Sequence, residues 1–448
     1  MKQLVDLERP SLGGRQSLFL DAGDSFFSAR ELPPSRISSE IERANLIARA
    51  YREIGVTHFT PGEKDFASGI ETLRELGKIS KMIFVASNLH STNGQLLFSK
   101  SDIVSVGGNL VGVFGLVGEE AMQGVDGIKV TDPTQVGKVT VKELRDEGTS
   151  VVVLLSHLGL QADRELAKTL DVDFIIGSHS MDVLPKGERV NRAFIVQPHH
   201  DGQQIGIIDF DPAAAENPAL RLVELGKELD RPNEVVTLME AFRAQVRLRG
   251  IESPGIHEAT SENPYVAHPY YCRTCHPKQY DYWAKTKHAS AYLVLFSKNQ
   301  HFDLLCVTCH TLGFQSPGGF QKISEPITLT REKKGQVPFI ETFLKGVFRG
   351  KERIDLDSRE QPERFKKLQG KFINTIHEME KGDKIKMNFL GVQCEHCHGN
   401  RNGHPDSSVP TVKRVKEESC RICHRPPNDE HFNFSVIQQV ACPLSKRL

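Results

Sequence analysis

Apolar and polar positions alternate with two different periods in residues 1–225. Segments with apolar residues at helical spacing predict amphipathic helices over residues 39–55, 69–79 and 161–170. Short apolar runs lie between them and predict buried strands over residues 17–24, 109–118, 151–159, 173–180, 193–202 and 205–210. This order is typical of an α/β domain, whose functional loops follow the carboxyl ends of the strands.

The pattern changes after residue 225. Residues 234–250 predict a connecting helix, which a polar segment rich in Pro, Gly and Ser follows. Residues 277–296 predict one helix that begins with a proline, and the charged residues 328–372 predict an exposed helical part of a larger insertion. We therefore predict an α/β domain in residues 1–225, a connecting segment in 226–262, and a mainly α or irregular domain in 263–448 with an insertion at about 319–390.

All cysteines lie in the last of these domains, and eight of the nine occur in four identical Cys-x-x-Cys-His frames. The frames are CRTCH, CVTCH, CEHCH and CRICH, with cysteines at Cys272, Cys275, Cys306, Cys309, Cys394, Cys397, Cys420 and Cys423 and histidines at His276, His310, His398 and His424. Two cysteines at this spacing can form thioether bonds with a haem, and the adjacent histidine binds its iron. Cysteine pairs also form zinc half-sites, but zinc requires no histidine after each pair. We therefore predict four covalently bound haems of the c type, with these histidines as proximal iron ligands.

The distribution of charge also differs between residues 1–225 and the rest of the chain. Basic and acidic residues balance at 57 each, but residues 1–225 hold 23 basic and 31 acidic residues, which leaves 34 and 26 for the rest of the chain. A basic half is typical of proteins that bind nucleic acid or a membrane surface. Haem propionates offer another anionic partner, so we predict no nucleic-acid binding, although basic side chains that face solvent give the same count.

The sequence also bears on location. No apolar run is long enough to span a membrane, so we predict no transmembrane segment. The first residues, MKQLVDLERPSLGGRQ, contain no apolar signal region. Haem attachment through thioethers nevertheless takes place outside the cytoplasm. We therefore expect a periplasmic or extracellular protein whose signal peptide has been removed or truncated.

Residues 263–448 resemble the cytochrome c-554 family of multihaem c-type cytochromes. YCRTCHPKQYDYWAKTKHASAY resembles the family's first frame, CVTCHTLGFQSPGGF its second, VQCEHCHGNRNGH its third and CRICHRPPNDEHFNF its fourth. The resemblance implies a tetrahaem electron-transfer domain with distal iron ligands at His288, His404 and His431. The fourth distal ligand has three candidates, His301, His268 and His377, or it is missing or comes from another chain. His396 lies inside a frame and is expected to be too constrained to reach another iron.

Residues 15–225 resemble the 5'-nucleotidase branch of the calcineurin-like metallophosphoesterases. The order of FLDAGDSFF, LLSHLG and IIGSHS matches loops that hold two metal ions, which implies metal ligands at Asp24, His157 and His179. This chain departs from the family at several positions. No Asp-x-His strand precedes Asp24, Glu63 and Lys64 replace the metal-binding Asn and the catalytic His, and Met181 replaces the last ligand. We expect an inactive domain for docking or ligand binding, with a site for one divalent metal ion as a further option at Asp24, Glu63, His157 and His179.

These features favour an extracytoplasmic multihaem cytochrome that exchanges electrons with redox partner proteins such as other cytochromes. Two enzyme alternatives remain: a haem with an open side that acts on a small nitrogen or sulfur compound, or an active metal-dependent 5'-nucleotidase fused to a cytochrome. A distal histidine donated across an interface gives a further interpretation, a homo-oligomer or haem filament. The sequence assigns no catalytic residue.

Overall fold

The computed structural model describes most of both halves of the chain. The described residues are 1–11, 16–32, 37–180, 182–198, 202–211, 218–226, 229, 231–252, 265–298, 300–316, 318–331, 343–344, 346, 362–399, 415–424 and 432–436. The chain divides into two compact units, Met1–Glu240 and Ala241–Leu448. The domain limits predicted near residues 225 and 263 stay predictions, and residues 253–262 of the predicted linker lie outside the described residues.

Helices and short strands alternate in the first unit. Its helices are α1 (Lys2–Ser11), α2 (Ile37–Ile54), α3 (Ile70–Ser80), α4 (Pro133–Asp146), α5 (Leu160–Thr169) and α6 (Glu234–Glu252), of which α6 extends past the division between the units. Its strands are β1 (Leu20–Asp21), β2 (His58–Phe59), β3 (Ile83–Phe84), β4 (Leu89–Ser91), β5 (Ser101–Val106), β6 (Asn109–Val117), β7 (Ile128–Val130), β8 (Val151–His157), β9 (Phe174–Gly177), β10 (Glu188–Val190), β11 (Ala193–Val196), β12 (Gln204–Asp209) and β13 (Ala219–Glu224). A 3-10 turn, Glu63–Phe66, follows β2.

Two sheets organise the first unit. The larger has six strands in the order β10-β11-β9-β8-β6-β5, in which β11, β9, β8 and β6 run parallel and the two outer strands run antiparallel to their neighbours. The smaller is the parallel sheet β1-β2-β3. The pairs β4-β7 and β12-β13 are antiparallel. All seven residues of β8 are buried, as expected for a parallel strand that is covered on both faces.

The apolar cores show that the two sheets form a sandwich with helices on its outer faces. One core lies between the sheets and includes Val85 and Val153. A second core joins α2 and α3 to the smaller sheet around Phe59, which is fully buried. A third joins α4 and α5 to the larger sheet around Leu154. The described part of this unit therefore has the predicted α/β fold, and its two sheets pack as a sandwich.

The sequence predicted the long elements of the first unit better than the short ones. Each predicted strand segment contains a strand, and each predicted helix is present. Helix α4 was missed, although Asp132 accepts a hydrogen bond from the Gln135 N–H at 2.8 Å and Pro133 stands in the first turn, which are ordinary signals of a helix start. Most of the missed strands have two or three residues, which is too short for a period of two to show.

The second unit is mainly helical in its described residues. Its helices are α7 (Pro269–Cys275), α8 (Pro277–Trp283), α9 (Ala291–Ser297), α10 (Leu304–His310), α11 (Pro362–Lys381), α12 (Cys394–His398) and α13 (Glu417–Arg421), and strand β14 (Ile327–Leu329) pairs antiparallel with β15 (Ile385–Asn388). Aromatic side chains fill much of its core, among them Tyr292, Phe320, Phe372 and Phe389. In neither unit do the described residues include a helix with the length and apolar composition needed to cross a membrane.

The prediction of one helix over residues 277–296 is wrong. The chain forms two helices, α8 and α9, with turns between Trp283 and Ala291. Hydrogen bonds with residues that lie far away in the sequence stabilise these turns. The Trp283 indole donates to the Val392 carbonyl at 2.7 Å, and the Gln369 amide donates to the Thr286 carbonyl at 2.6 Å. Tertiary hydrogen bonds thus override the local helical spacing.

The predicted exposure of the helical segment over residues 328–372 is wrong for its described part, whereas the insertion itself stays a prediction. Helix α11 lies in this segment, but Phe365, Phe372 and Ile376 on one of its faces are buried in the core of the second unit. Strand β14 belongs to the same segment and is not helical. The charged residues Glu363, Arg364, Lys366 and Lys367 of α11 are exposed, so the helix is amphipathic, and the spacing of its apolar residues is the better guide to its burial.

Candidate functional sites

The side chains predicted as metal ligands lie where strands of the first unit end. Asp24 follows β1, Glu63 opens the 3-10 turn after β2, His157 ends β8, and His179 follows β9. Because the carboxyl ends of parallel strands lie at the same edge of a sheet, side chains from distant parts of the sequence meet there. We call Asp24, Glu63, His157 and His179 the acid–histidine cluster.

Glu63 is the centre of the acid–histidine cluster. Its Oε2 atom lies 2.8 Å from His157 Nε2 and 3.3 Å from His179 Nδ1. Asp24 stands further out, with its Oδ1 atom 3.7 Å from His157 Nε2. The ligand atoms of Glu63, His157 and His179 lie within 4.8 Å of one another, which is close enough for one divalent metal ion to bind all three. The structure therefore groups three of the four predicted ligands and places Asp24 beside them.

His157 is held in one orientation by the backbone. It is fully buried, and its Nδ1 atom donates to the Ala22 carbonyl at 2.7 Å. A neutral His157 therefore carries its lone pair on Nε2, which faces Glu63 Oε2 at 2.8 Å, and two acceptors this close require a proton or a metal ion between them. Burial opposes the charged form of His157, but Glu63, Asp24 and the Ala22 carbonyl outweigh it and raise the pKa of the imidazole.

The pKa of Glu63 is shifted in the opposite direction, downward. Burial opposes ionisation of its carboxyl group, but the hydrogen bonds from His157 and His179 outweigh that effect and hold the pKa of Glu63 well below its usual range. The carboxyl group is therefore ionised at neutral pH. A carboxylate and two imidazoles form a donor set that fits one divalent ion of the zinc or manganese kind.

Two basic side chains neutralise the carboxylates of the acid–histidine cluster. Lys64 Nζ lies 3.3 Å from Asp24 Oδ2, and the Lys64 N–H donates to Asp24 Oδ1 at 2.9 Å. Arg30 Nη2 lies 3.2 Å from Glu63 Oε1. The sequence singled out Lys64 but not Arg30, because no local pattern links Arg30 to a residue 33 positions later. These cations place positive charge beside Glu63 and Asp24.

A further buried carboxyl group, that of Asp65, fixes the loop that carries Glu63 and Lys64. Its oxygens accept hydrogen bonds from the N–H groups of Asp24, Ser25, Phe26 and Gly62 at 2.7 to 3.0 Å. Burial, together with the neighbouring Asp24, raises the pKa of Asp65 to about 7 in spite of these donors. Gly62 is needed at this place, because a Cβ atom there would overlap Asp24 and the His157 ring. Asp65 therefore positions Asp24 rather than adding a ligand. Met181 lies outside the described residues.

All four Cys-x-x-Cys-His frames lie in residues that the structure describes. Each forms a helical turn: the second and third lie within α10 and α12, and in the first and fourth the histidine N–H donates to the carbonyl of the first cysteine at 2.8 Å. Cysteines three positions apart on such a turn project from one face, with the histidine next to the second of them. His310 also donates from Nδ1 to the Ala291 carbonyl at 2.7 Å, which leaves its lone pair on Nε2. The residues present fit four haems.

One predicted distal ligand lies opposite a proximal one. The ring centres of His288 and His424 are 6.0 Å apart, with 67° between the ring planes. Burial, together with the neighbouring His424, lowers the pKa of His288, which favours the neutral ring that binds metals. The sequence did not indicate which frame His288 serves, and the structure places it beside the fourth. His404 and His431 lie outside the described residues.

The candidates for the fourth distal ligand differ in their surroundings. His301 is buried against Phe296 and Phe302, its Nδ1 atom has no hydrogen-bond partner in the described part of the chain, and burial lowers its pKa to about 3. His268, before the first turn of α7, likewise has a buried Nδ1 atom without such a partner. The Nδ1 atom of His377 instead lies 3.1 Å from Tyr280 Oη. His301 and His268 thus stay candidates with an uncommitted ring nitrogen.

The residues between the cysteines of the third frame have structural contacts. His396 accepts the Gln393 N–H at 3.0 Å through Nδ1 and lies 3.1 Å from the Thr311 carbonyl through Nε2, so both ring nitrogens are engaged by the backbone. Glu395 accepts hydrogen bonds from the Val266 and Ala267 N–H groups at 3.0 and 2.9 Å. The sequence analysis missed this contact, because its only signal was a carboxylate inside a Cys-x-x-Cys-His frame. It ties the third frame to the segment that leads into the first.

Comparison with known proteins separates the two units. Residues 271–331 match the model of the family described as cytochrome c554 and c-prime. The second unit resembles this cytochrome family. The matched residues include the first two frames with His288 and His301, whereas the frames at Cys394 and Cys420 lie beyond them.

The first unit resembles 5'-nucleotidases and apyrases in sequence. An apyrase of Anopheles gambiae is 26% identical over 183 residues, which cover 38% of this chain and 30% of the apyrase. The 5'-nucleotidase of Mus musculus is 25% identical over 226 residues, which cover 46% of this chain and 36% of the relative. Protein UshA of Salmonella pullorum is 24% identical over 249 residues, with coverage of 47% and 44%. The chain thus spans 30% to 44% of the length of these relatives.

Two solved structures are similar to the chain at a low level. The sulfate thiohydrolase SoxB of Thermus thermophilus, solved with glycerol, has a TM-score of 0.48 and 22% identity, with 60% of this chain and 48% of that chain covered. The calcineurin-like phosphoesterase YfkN of Bacillus subtilis has a TM-score of 0.47 and 18% identity, with coverage of 55% and 88%. Likeness at this level carries over neither ligands nor activity.

Proposed function

We propose that this chain is an extracytoplasmic electron carrier with four covalently bound haems in its second unit. The observation that carries the proposal is the helical turn that every Cys-x-x-Cys-His frame forms. The cysteine pairs would hold the haems through thioethers, and the irons would be bound by His276, His310, His398 and His424. When bound, the haems supply one-electron redox chemistry. Covalent haem attachment takes place outside the cytoplasm, which supports a periplasmic or extracellular location.

The proximity of the frames supports electron transfer along the second unit. The Cys394 side chain lies beside that of Cys272, so the first and third frames lie side by side. Helices α12 and α13, which carry the third frame and the start of the fourth, pack against each other. His288, twelve positions after the first frame ends, lies opposite His424 of the fourth. Redox partner proteins such as other cytochromes would deliver and remove the electrons.

For the first unit we propose docking or ligand binding rather than two-metal hydrolysis. Lys64 is paired with Asp24 and Arg30 with Glu63, so cationic side chains already provide charge that a metal pair would supply. Lys64 also stands where the resembling family has its catalytic histidine. A lysine paired with a carboxylate offers positive charge but no imidazole, so Lys64 does not reproduce the chemistry of that histidine.

Hydrolysis of a nucleotide at a single metal ion is the second candidate function. The grouping of Glu63, His157 and His179 favours it, because their ligand atoms fit one divalent ion. The similarity to apyrases and 5'-nucleotidases indicates nucleotides as the substrate class. Phosphate release from AMP and ATP by the full chain with added manganese would support this function, provided that His157→Ala abolishes it. No phosphate release under these conditions contradicts it.

Intact mass spectrometry tests the electron-carrier proposal. When produced with a maturation system for c-type cytochromes, the chain should gain the mass of four haems that resist acid extraction. The double variant Cys420→Ser, Cys423→Ser should lose one haem. Cys442→Ser is the matched control, because this cysteine lies outside the frames, and it should keep all four. Zinc in place of haem, or a chain of unchanged mass, contradicts the proposal.

A further inference from the structure

Glu380 has a buried carboxyl group that the proposed electron transfer does not use. It lies near the end of α11, and 4% of the residue is exposed. Its Oε1 atom accepts a hydrogen bond from Asn388 Nδ2 at 2.9 Å, and its Oε2 atom accepts one from the Tyr270 N–H at 3.2 Å. No cationic side chain of the described residues forms an ion pair with it. A buried carboxylate with neutral donors alone is costly to ionise.

The two hydrogen bonds place Glu380 where the first and third haem frames begin. Tyr270 precedes Cys272 by two positions in α7, which carries the first frame. Asn388 ends β15, after which the chain enters the third frame at Cys394. Because the Cys394 side chain lies beside that of Cys272, the segments that Glu380 contacts lead into adjoining frames.

The charged and titratable groups around Glu380 leave its negative charge uncompensated. On α8, Tyr280 faces it, and burial together with Glu380 raises the pKa of this phenol, so that it stays neutral. Arg273 of α7 lies 5.7 Å from the Tyr280 ring centre, but it is paired with Asp281 at 3.2 Å. On and just after α11, His377 contacts the Tyr280 hydroxyl, and Lys381 and Asp383 are exposed. Burial raises the pKa of Glu380 to about 7, although both hydrogen bonds lower it.

We propose that Glu380 is a redox-linked proton site, which binds one proton from solvent when an electron enters the first or third frame and releases it when the electron leaves. The inference rests on the proposed function, because it requires haems in these frames. The step balances: the Glu380 carboxylate, one proton from solvent and one electron from a redox partner would give one carboxylic acid and one haem, held by the first or third frame, that is reduced by one electron. The carboxyl group changes only its protonation.

The physical basis is the charge that an electron brings. An added electron makes its haem site more negative by one unit, and a carboxylate in a poorly solvated place nearby then binds a proton more tightly. By linkage, a proton on Glu380 favours reduction of the same site by an equal free energy. The reduction potential of that site must therefore fall as the pH rises through the range in which Glu380 titrates.

A potentiometric titration of the haem-loaded full chain at several pH values tests the proposal. One of the haems should show a potential that falls as pH rises from about 6 to 8, by up to about 59 mV for each tenfold decrease in proton concentration. In Glu380→Gln, which is neutral at every pH, this haem should keep the higher potential and lose the dependence. The matched control is Glu378→Gln on the same helix, since Glu378 is exposed and should leave the dependence unchanged.

Infrared difference spectra of the unsubstituted chain give a second test, which does not require the Glu380→Gln variant to fold. Reduction at pH 7 should produce the C=O band of a protonated carboxyl group, and oxidation should remove it. If the haems are present and reducible but no potential depends on pH and no such band appears, the proton site is refuted and the electron carrier stands. If the chain holds no reducible haem, both proposals fall. A haem potential that still depends on pH in Glu380→Gln would assign the proton to another group, and this result also refutes the proposal for Glu380.

Discussion

At the scale of single residues, Asp163 couples the stability of the first unit to pH. It is fully buried and accepts a hydrogen bond from Ser156 Oγ. Its Oδ2 atom and Gln197 Oε1 are buried without a hydrogen-bond partner in the described part of the chain, and they lie 2.6 and 2.9 Å from the point that a Cβ atom on Gly177 would occupy. Burial raises the pKa of Asp163 to about 7. A buried carboxyl oxygen without a donor favours the protonated, neutral form of the carboxyl group.

The first prediction concerns Asp163→Asn. An unfolded aspartate loses its proton near pH 3.9, but the folded one keeps it to about pH 7, so the free energy of unfolding should fall as the pH rises between these values. Asparagine is neutral at every pH and therefore removes this dependence. At pH 8 the variant should be more stable than the parent by about 1–3 kcal/mol.

Hydrogen exchange of β8 in urea at pH 5 and pH 8 measures this stability. The matched control is Asp126→Asn, because Asp126 is exposed, and it should keep the pH dependence of the parent. A variant that is less stable than the parent at pH 8 contradicts the account of a protonated Asp163.

The second prediction concerns Lys64→Ala. Removal of the cation 3.3 Å from Asp24 frees this carboxylate to join Glu63, His157 and His179 as a metal ligand. Loss of one nearby positive charge should tighten manganese binding by roughly tenfold or more, as measured by titration calorimetry. Lys138→Ala is the control, since Lys138 is exposed, and it should leave the affinity unchanged. Equal manganese affinity in Lys64→Ala and the parent would show that the Lys64 charge does not compete with a bound metal ion.

The third prediction concerns His288→Ala. Because His288 lies opposite His424, its loss should convert one haem from low spin to high spin, which electron paramagnetic resonance detects. His377→Ala is the matched control, since the His377 ring is engaged by Tyr280, and all spin states should match the parent. Unchanged spectra in His288→Ala would mean that His288 binds no iron.

At this scale the sequence indicated which side chains carry candidate ligand atoms, but not which distant residues pair with them. The frames and the histidines after strands were readable because their chemistry lies in local spacing. Arg30 pairs with Glu63 across 33 positions, and Glu395 reaches the backbone at Val266, which no local pattern encodes. Partners of long side chains depend on tertiary structure, so they were the part of the site that sequence reasoning missed.

At the scale of secondary-structure elements, α11 shows why composition misled and periodicity would not have. The segment is highly charged, which led to the prediction of an exposed insertion. Its apolar residues nevertheless recur at helical spacing and bury one face, with Phe372 fully covered. Because an aromatic ring of α11 is buried in the packed core, this helix contributes to the folding free energy of the second unit.

The fourth prediction follows for Phe372→Ala. Truncation of a fully buried phenylalanine should lower the free energy of unfolding of the second unit by about 3–5 kcal/mol, because it removes buried apolar surface and leaves a cavity. Circular dichroism of the haem bands in urea measures this change. Lys367→Ala on the exposed face of the same helix should change stability by less than about 0.5 kcal/mol. Similar effects of both substitutions would contradict the buried position of α11.

Short elements set the limit of sequence prediction at this scale. β1, β2 and β3 have two residues each, yet they carry the loops of Asp24 and Glu63. A strand of two residues has no measurable period, and its existence depends on pairing with neighbours. The turns within residues 284–290 likewise depend on Gln369, which is supplied by α11.

At the scale of the whole molecule, the chain combines two units with separate cores and separate chemistry. The first is an α/β sandwich with an excess of acidic residues and an acid–histidine cluster that Lys64 and Arg30 neutralise. The second holds every cysteine and an excess of basic residues. This division was readable from the sequence, because residue composition, charge and motif content all change in the same region.

The central claim, that the second unit carries electrons on four haems, is tested most directly by counting electrons. The haem-loaded full chain would be titrated with a calibrated reductant while its absorbance and paramagnetic resonance spectra are recorded. We predict reversible uptake of four electrons per chain, with low-spin signals from most of the haems before reduction. A chain that takes up no electrons reversibly, or one in which two or more haems are high-spin as purified, would contradict the account.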